Sequence, residues 1–100
     1  MTVIRTTRFT VDPADAETML ARRRQLLDAV RASFDGPDEA RLVRLDDQTW
    51  LDIWRWDSAQ ALRAALNGAP GLPEAGAAFA LTRHAAAEQG DMVDEDVRAR

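Results

Sequence analysis

The sequence predicts an α+β domain whose strands and helices follow the order βαββαβ. Three observations predict it: a β-branched segment at 3–11, a long amphipathic helical stripe after it, and two short strands at 41–45 and 49–56 that a polar turn separates. The chain has 100 residues, which fit a single domain over 1–100 and leave no room for a second core.

The composition is typical of a globular protein, with 46% hydrophobic and 30% charged residues. The net charge of −4 argues against nucleic acid as a partner, because binding to phosphates requires a positive surplus. No apolar run reaches the roughly 20 residues that cross a bilayer, and the N-terminus lacks the apolar core of a signal peptide. We therefore expect a cytoplasmic protein with no membrane partner. With no cysteine and one histidine, we also expect no metal site.

The first strand and the first helix have the clearest patterns. The β-branched side chains of 3–11 alternate between two faces, as in a half-buried strand. Asp12 and Pro13 form a helix start, because aspartate is a favoured N-cap and proline is favoured at the first helical position. A Gly-Pro pair at 36–37 ends the helix. Arg23 lies inside the apolar stripe of this helix. The stripe consists of Ala16, Met19, Leu20, Leu26, Leu27, Val30 and Phe34.

The second half of the chain predicts two helical pieces and a last strand after the hairpin. Ser58, preceded by Asp57, caps the helix that follows the hairpin, and a Gly- and Pro-rich run at 67–71 interrupts it. A further helical piece is predicted over 73–88 and a last strand over 91–97. This order is that of a ferredoxin-like fold, with a four-stranded antiparallel sheet and the helices on one face.

All three tryptophans lie in the strand at 49–56. Trp50, Trp54 and Trp56 share one face of this strand, because side chains alternate between the two faces. Helices can cover only one face of the sheet, whereas both faces are largely apolar. We therefore expect a second copy of the chain to cover the other face, which makes the protein a homodimer. Asp52 lies on the tryptophan face, and the opposite face carries Leu51, Ile53 and Arg55.

Two interpretations of the tryptophan face remain open. Its indoles pack as plain core or interface, or they line a pocket for a flat, hydrophobic, aromatic small molecule with indole N–H groups as donors. Asp52 needs a cationic partner in either case, because a buried carboxylate must be paired or neutralised. An arginine is the expected partner, for instance Arg5 or Arg44 from a neighbouring strand.

Four features of the second half form a further pattern. They are Trp56-Asp57-Ser58 at a strand end, Ala61 and Leu62 in the helix after it, a Pro/Gly break, and Phe79 in the next helical piece. This pattern resembles the antibiotic biosynthesis monooxygenase family, a branch of the dimeric α+β barrel proteins, and the similarity covers nearly the whole chain. The resemblance implies a homodimer whose two sheets face each other as a barrel, with a pocket between sheet and helices in each subunit.

The family's activities include cofactor-independent oxygenation of polyketide anthrones and quinols, and haem degradation. The resemblance therefore implies oxygenation of an aromatic or polyketide-like small molecule, with no cofactor. Ala65 stands where many members carry a histidine, which removes one proton acceptor. Thr6 and Thr7 stand where the haem-degrading branch carries an asparagine, which argues against haem degradation. The alternative function is a non-catalytic small-molecule-binding or accessory homodimer.

Two side chains are candidates for catalysis. His84, the one histidine, is suited to act as a general base near neutral pH, and the alternative is a half-exposed helix residue. Arg23 would bind an enolate or phenolate oxygen if it pointed between helix and sheet, and the alternative is a guanidinium that extends into water. The predicted substrate-binding residues are Trp54, Trp56, Asp52 and Phe79.

Overall fold

The computed structural model describes residues 1–99 and has the predicted ferredoxin-like α+β architecture. The strands are β1 (Val3–Thr10), β2 (Glu39–Arg44), β3 (Thr49–Trp56) and β4 (Arg83–Asp91), and the helices are α1 (Ala16–Ser33), α2 (Ala59–Gly68) and α3 (Pro73–Phe79). The four strands form one antiparallel sheet in the order β2-β3-β1-β4. Single 3₁₀ turns, Pro13–Asp15 and Ala69–Gly71, precede α1 and α3.

The starts of the first two helices follow the sequence signals, whereas α1 ends at Ser33, before the predicted Gly36-Pro37 stop, and Phe34 is extended. The Asp12 carboxylate accepts a hydrogen bond from the backbone N–H of Ala14 at 3.0 Å and caps the turn that leads into α1. The Ser58 hydroxyl accepts one from the N–H of Ala61 at 3.1 Å and caps α2. Leu20 is an exception to the predicted stripe of α1, since 43% of it is exposed. Within residues 1–99, no helix combines the length and apolar character that crossing a bilayer requires.

The helices cover the tryptophan face of the sheet. Trp50 and Trp56 are 7% and 2% exposed, and each belongs to an apolar cluster between the sheet and α1. The Trp50 cluster consists of Phe9, Val11, Met19 and Trp50. The Trp56 cluster is larger and consists of Val3, Leu26, Val30, Trp56, Leu62, Ala65, Ala75 and Ala78. The face that carries Leu51, Ile53 and Arg55 is therefore the one that the helices leave uncovered.

The last third of the chain differs from the prediction. The helix predicted over 73–88 ends at Phe79, where a turn closes with a hydrogen bond from the N–H of Thr82 to the carbonyl of Phe79 at 3.0 Å. The residues predicted to continue this helix form the strand β4 instead. The last strand therefore ends at Asp91, where the sequence predicted it to begin. The alanine-rich sequence of β4 favours a helix, but β1 has a free edge there. Backbone pairing with β1 overrides the intrinsic preference.

His84 also lies elsewhere than predicted. It is the second residue of β4 rather than part of a helix, and its side chain is exposed. Its φ of 55° falls at the point where the pairing of β4 with β1 shifts register, between Arg8 and Thr10. A β-bulge explains both observations, because the extra residue in a bulge adopts a conformation outside the strand region.

We expect Gly36→Ala to lower the free energy of unfolding by about 1–3 kcal/mol. Gly36 has a φ of +124°, and a Cβ at this position would lie 3.0 Å from Cε3 of the buried Trp56 ring. Gly76→Ala is the matched control, because a Cβ there meets nothing within 4 Å and alanine favours the helix. Chemical denaturation of the three proteins measures the difference, and equal stability of Gly36→Ala and the wild type would contradict the expectation.

Candidate active site

The centre of the candidate site is an ion pair between α1 and β3. The Arg23 guanidinium donates from Nε to Oδ2 of Asp52 at 2.8 Å and from Nη2 to Oδ1 at 2.9 Å. The two side chains are 17% and 13% exposed, so this bidentate pair is largely withdrawn from water. Charge-assisted bonds in this geometry are stronger than those between neutral groups, and they fix the relative orientation of the two side chains.

The sequence explains why these two groups meet. Arg23 follows Met19 by one turn of α1 and precedes Leu26, so it points to the same side as the apolar stripe. Asp52 lies between Trp50 and Trp54 on the face of β3 that α1 covers. Met19 and Trp50 share one apolar cluster, whereas Leu26 belongs to the other. The ion pair therefore lies between the Trp50 cluster and the Trp56 cluster.

The partner of Asp52 is an arginine, as predicted, but it is neither of the two arginines named as examples. The guanidinium carbon of Arg44 lies 5.0 Å from the centroid of the Trp50 ring, a cation–π contact, and the same side chain donates to the carbonyl oxygens of Asp46 and Asp47. Arg5 instead donates from Nη1 to Oε1 of Gln89 at 2.8 Å. The cation that pairs with Asp52 comes from α1, which packs on the sheet, and not from a neighbouring strand.

Trp54 adds a third hydrogen bond to Asp52. Its indole Nε1 donates to Oδ1 at 2.7 Å, so the carboxylate receives three hydrogen bonds from two side chains. The Trp54 ring also lies beside Trp56, with centroids 6.3 Å apart and planes tilted by 35°. Within residues 1–99, Nη1 of Arg23 donates to no protein acceptor. The pair is therefore neutral overall, Nη1 of Arg23 keeps its N–H donors free among these residues, and Arg23 lines the space beside the pair.

That space is a cavity of about 360 Å³ between the sheet and the helices. Its walls are mostly apolar, and the exposed side chains of Leu66 and Phe79 and the ring of Pro70 also border it. The polar side chains that line it are Arg5, Thr7, Arg23, Asp52 and Thr82. A largely apolar cavity of this volume with a few convergent polar groups is the usual form of a small-molecule site.

The cavity brings together five of the six predicted site residues. Arg23, Asp52, Trp54, Trp56 and Phe79 all line it, whereas His84 does not. Ala65, where the related pattern carries a histidine, is buried in the cavity wall. Within residues 1–99, no cluster of three or more histidine, aspartate or glutamate side chains is arranged to hold a metal ion.

Two lining residues on β1 were not among the predicted site residues. Arg5 and Thr7 lie on the same face of β1 as Phe9, and they pair with Trp54 and Asp52 of β3. The signal that would have found them is this antiparallel register, which is set once β1 and β3 are known to be neighbours.

Comparison with known proteins gives one family and several similar structures. The family model described as "Antibiotic biosynthesis monooxygenase" matches residues 2–88. SnoaB, a cofactor-independent oxygenase from Streptomyces nogalater, is 28% identical with a TM-score of 0.71, and the match covers 94% of this chain and 95% of SnoaB. Against the curated proteins no significant match was found.

Two more distant structures share the fold. A Mycobacterium tuberculosis protein is 23% identical with a TM-score of 0.66, and the match covers 97% of this chain and 100% of that one. A Caulobacter crescentus CB15 protein is 20% identical with a TM-score of 0.71, and the match covers 93% of this chain and 91% of that one.

A double-mutant cycle on Arg23→Gln and Asp52→Asn should give a coupling energy of roughly 1–3 kcal/mol, because each single change leaves the other charge unpaired in a largely buried place. The matched control is the same cycle on Arg24 and Asp28, an exposed pair one turn apart on α1. That cycle should give less than about 0.5 kcal/mol. Denaturant unfolding of the single and double variants measures both, and equal coupling in the two cycles would contradict the expectation.

Proposed function

Because the chain belongs to the antibiotic biosynthesis monooxygenase family, we propose that it catalyses the cofactor-independent oxygenation of an aromatic or polyketide-like small molecule. One observation carries the proposal. An apolar cavity of about 360 Å³ is lined by a hydrogen-bonded polar group, Arg23–Asp52–Trp54, whose guanidinium keeps free donors. The likeness to SnoaB, which is a cofactor-independent oxygenase, supports the same chemistry.

The walls of the cavity suit a flat ring system. Trp54 and Trp56 supply aromatic surface on the sheet side, and α1 and α2 supply aliphatic surface such as Val30 and Leu62 on the other. Aromatic side chains bind planar ligands through large contact areas at low entropic cost. The volume is in the range of ordinary small-molecule sites, about 300–1,000 Å³.

Oxygenation without a cofactor requires the substrate itself to supply electrons to O₂. A carbanion, enolate or phenolate does so far more readily than its conjugate acid, so the protein must favour the ionised substrate. Arg23 is suited to this task, because a largely buried cation with free N–H donors stabilises a developing oxyanion. Asp52 and Trp54 hold the guanidinium in one orientation before the substrate binds.

The reaction balances for a methylene group between two aromatic rings. Both C–H bonds of the methylene and the O–O bond break, and one oxygen atom forms the new carbonyl while the other leaves as water. The carbon loses four electrons and O₂ gains four, so no further oxidant or reductant takes part. For such a substrate the protein needs to bind it, orient it and stabilise its anion.

Ionisation of the substrate requires an acceptor for its proton. Asp52 is the one carboxylate that lines the cavity, and its oxygens already accept three hydrogen bonds. Its oxygens are therefore occupied by Arg23 and Trp54. We infer that the substrate is acidic enough to lose its proton to water once Arg23 stabilises the product anion.

Oxygen uptake with a model anthrone or hydroquinone should depend on the protein and should fall roughly 10–100-fold in Arg23→Gln, because the variant lacks the cation that stabilises the oxyanion. Arg24→Gln is the matched control, since Arg24 is exposed on the next position of α1 and does not line the cavity. An oxygen electrode measures the rates. Equal rates in Arg23→Gln and the wild type would contradict the assigned role.

Oxygen uptake should also be measured for His84→Ala. His84 was the base predicted from the sequence, and it lies outside the cavity lining. A tenfold loss of oxygen uptake in this variant would require its imidazole to reach the substrate by a route other than this cavity wall.

A non-catalytic ligand-binding protein is the second candidate function. The observation that favours it is the lack of a free base among the described residues of the cavity, since Asp52 is committed to Arg23 and Trp54. Saturable quenching of tryptophan fluorescence by flat aromatics without any oxygen uptake would support this candidate over the oxygenase.

We further propose that the protein is a homodimer that pairs through the uncovered face of the sheet. Proteins of this family are typically dimers. Ile4, Val43, Leu51 and Ile53 all point to this face, and Val43 is 41% exposed in the single chain. Arg8, Arg41 and Arg55 stand among these apolar side chains on the same face. An exposed patch of apolar side chains is usually covered by a partner, and a second copy fits it because the interface of a two-fold dimer is self-complementary.

Ile53→Glu should shift the protein towards the monomer, because the dimer would take two carboxylates out of water, and pairing with Arg41 does not repay the cost of that desolvation. Ile53 lies beside Arg41 and Thr6 in the sheet, so the single chain tolerates the charge. Leu20→Glu is the matched control on the exposed side of α1. Light scattering at micromolar concentration measures the mass, and a monomeric wild type would refute the proposal.

A further inference from the structure

We propose that the ligand of this cavity carries a carboxylate group and that Arg5 binds it. The inference rests on the function proposed above, since it names the class of substrate that the same cavity takes. A flat aromatic acid is the molecule that fits, with its ring system between sheet and helices and its carboxylate at the β1–β4 side.

The charges that line the cavity do not cancel. Among residues 1–99, three ionisable side chains line it, namely Arg5, Arg23 and Asp52. Asp52 neutralises Arg23 through the bidentate pair, which leaves the positive charge of Arg5. The chain as a whole has a net charge of −4, so this cavity is positive within an acidic protein. A buried or half-buried cation without a counter-ion attracts an anion, and the low polarity of the cavity strengthens that attraction.

Arg5 is held in place by a neutral group. Its Nη1 donates to the amide oxygen of Gln89 at 2.8 Å, and within residues 1–99 it forms no ion pair. Asp91 shares that face of β4 but lies opposite Val3 and forms no ion pair with Arg5. The hydrogen bond to Gln89 orients the guanidinium without consuming its charge. The remaining N–H donors match the two oxygens of a carboxylate.

The register places Arg5 beside the aromatic wall. Arg5 pairs with Trp54 on one side and with Gln89 on the other, and Thr7 pairs with Asp52. Directly opposed side chains in a sheet lie about 5 Å apart at Cβ. A planar ligand in contact with the Trp54 ring therefore lies next to Arg5 at one edge and next to the Arg23–Asp52 pair at another. Arg23 is then available for the oxygen of the reacting ring and Arg5 for the carboxylate.

Two probes of matched shape test the proposal. Anthracene-9-carboxylate and 9-anthracenemethanol differ mainly in charge at neutral pH, and binding of each is measured by quenching of tryptophan fluorescence. We expect the wild type to bind the carboxylate about tenfold more tightly. Arg5→Gln should lose that preference with less than a twofold change for the alcohol, because only the charge-assisted contact is removed.

Two further variants separate this role from a structural one. Gln89→Glu supplies Arg5 with a carboxylate of its own, so the preference should disappear although Arg5 is retained. Arg8→Gln changes the same charge on β1 but on the opposite face of the sheet, and the preference should stay at about tenfold. Raising the salt concentration should weaken binding of the carboxylate more than that of the alcohol.

Equal affinity of the wild type for the two probes, or a preference that survives Arg5→Gln, would overturn the proposal. Binding of neither probe would overturn it as well. These outcomes differ from failure of the oxygenase function, which oxygen uptake measures separately. A carboxylate preference that depends on Arg5 would stand even if no substrate turned over.

Discussion

The ion pair between Arg23 and Asp52 fixes how α1 lies on the sheet. It stands between the Trp50 cluster and the Trp56 cluster, and each of these clusters could tolerate some sliding of the helix on its own. Apolar contacts are weakly directional, whereas a bidentate pair admits one distance and one plane. A shift of α1 by one turn would bring a different residue over Asp52 and leave a buried carboxylate without its cation. The position of the first helix therefore depends on this one polar contact.

The same pair gives the cavity its chemistry. Asp52 is saturated by Arg23 and Trp54, so it serves mainly to hold the guanidinium and the indole in place. Arg23 is a strong donor that is already desolvated and oriented, which is the condition under which electrostatic stabilisation of an anion is most effective. An isolated arginine in this wall would extend towards water instead. The structural and the proposed catalytic roles thus require the same three side chains, and a change in one should affect stability and activity together.

The elements that the sequence predicted well are those in which one signal dominates. In β3 the even spacing of tryptophans set the faces, and in α1 the apolar stripe and the Asp-Pro start set the limits. The sequence did not predict which arginine pairs with Asp52, because the packing that brings two charges on separate elements together is not known from the sequence. The charged residue inside each apolar face was nevertheless a hint that the two belong together. The prediction for the last third of the chain was wrong because alanine, glutamate and glutamine favour a helix. The free edge of β1, a tertiary feature, selects a strand instead.

The alanines of β4, which favoured the prediction of a helix, affect the size of the cavity in the folded chain. Ala85 and Ala87 of β4 line the cavity, on the side where Arg5 and Gln89 stand. Side chains of the size found on β3 at these positions would fill the space between β4 and the helices, and the cavity would become core. A strand is normally stabilised by β-branched and aromatic residues. The alanines of β4 have a lower preference for a strand, but their small side chains leave the cavity open. A segment whose local preference disagrees with its fold is expected at a functional site, and here the disagreement falls on the wall that leaves room for a ligand.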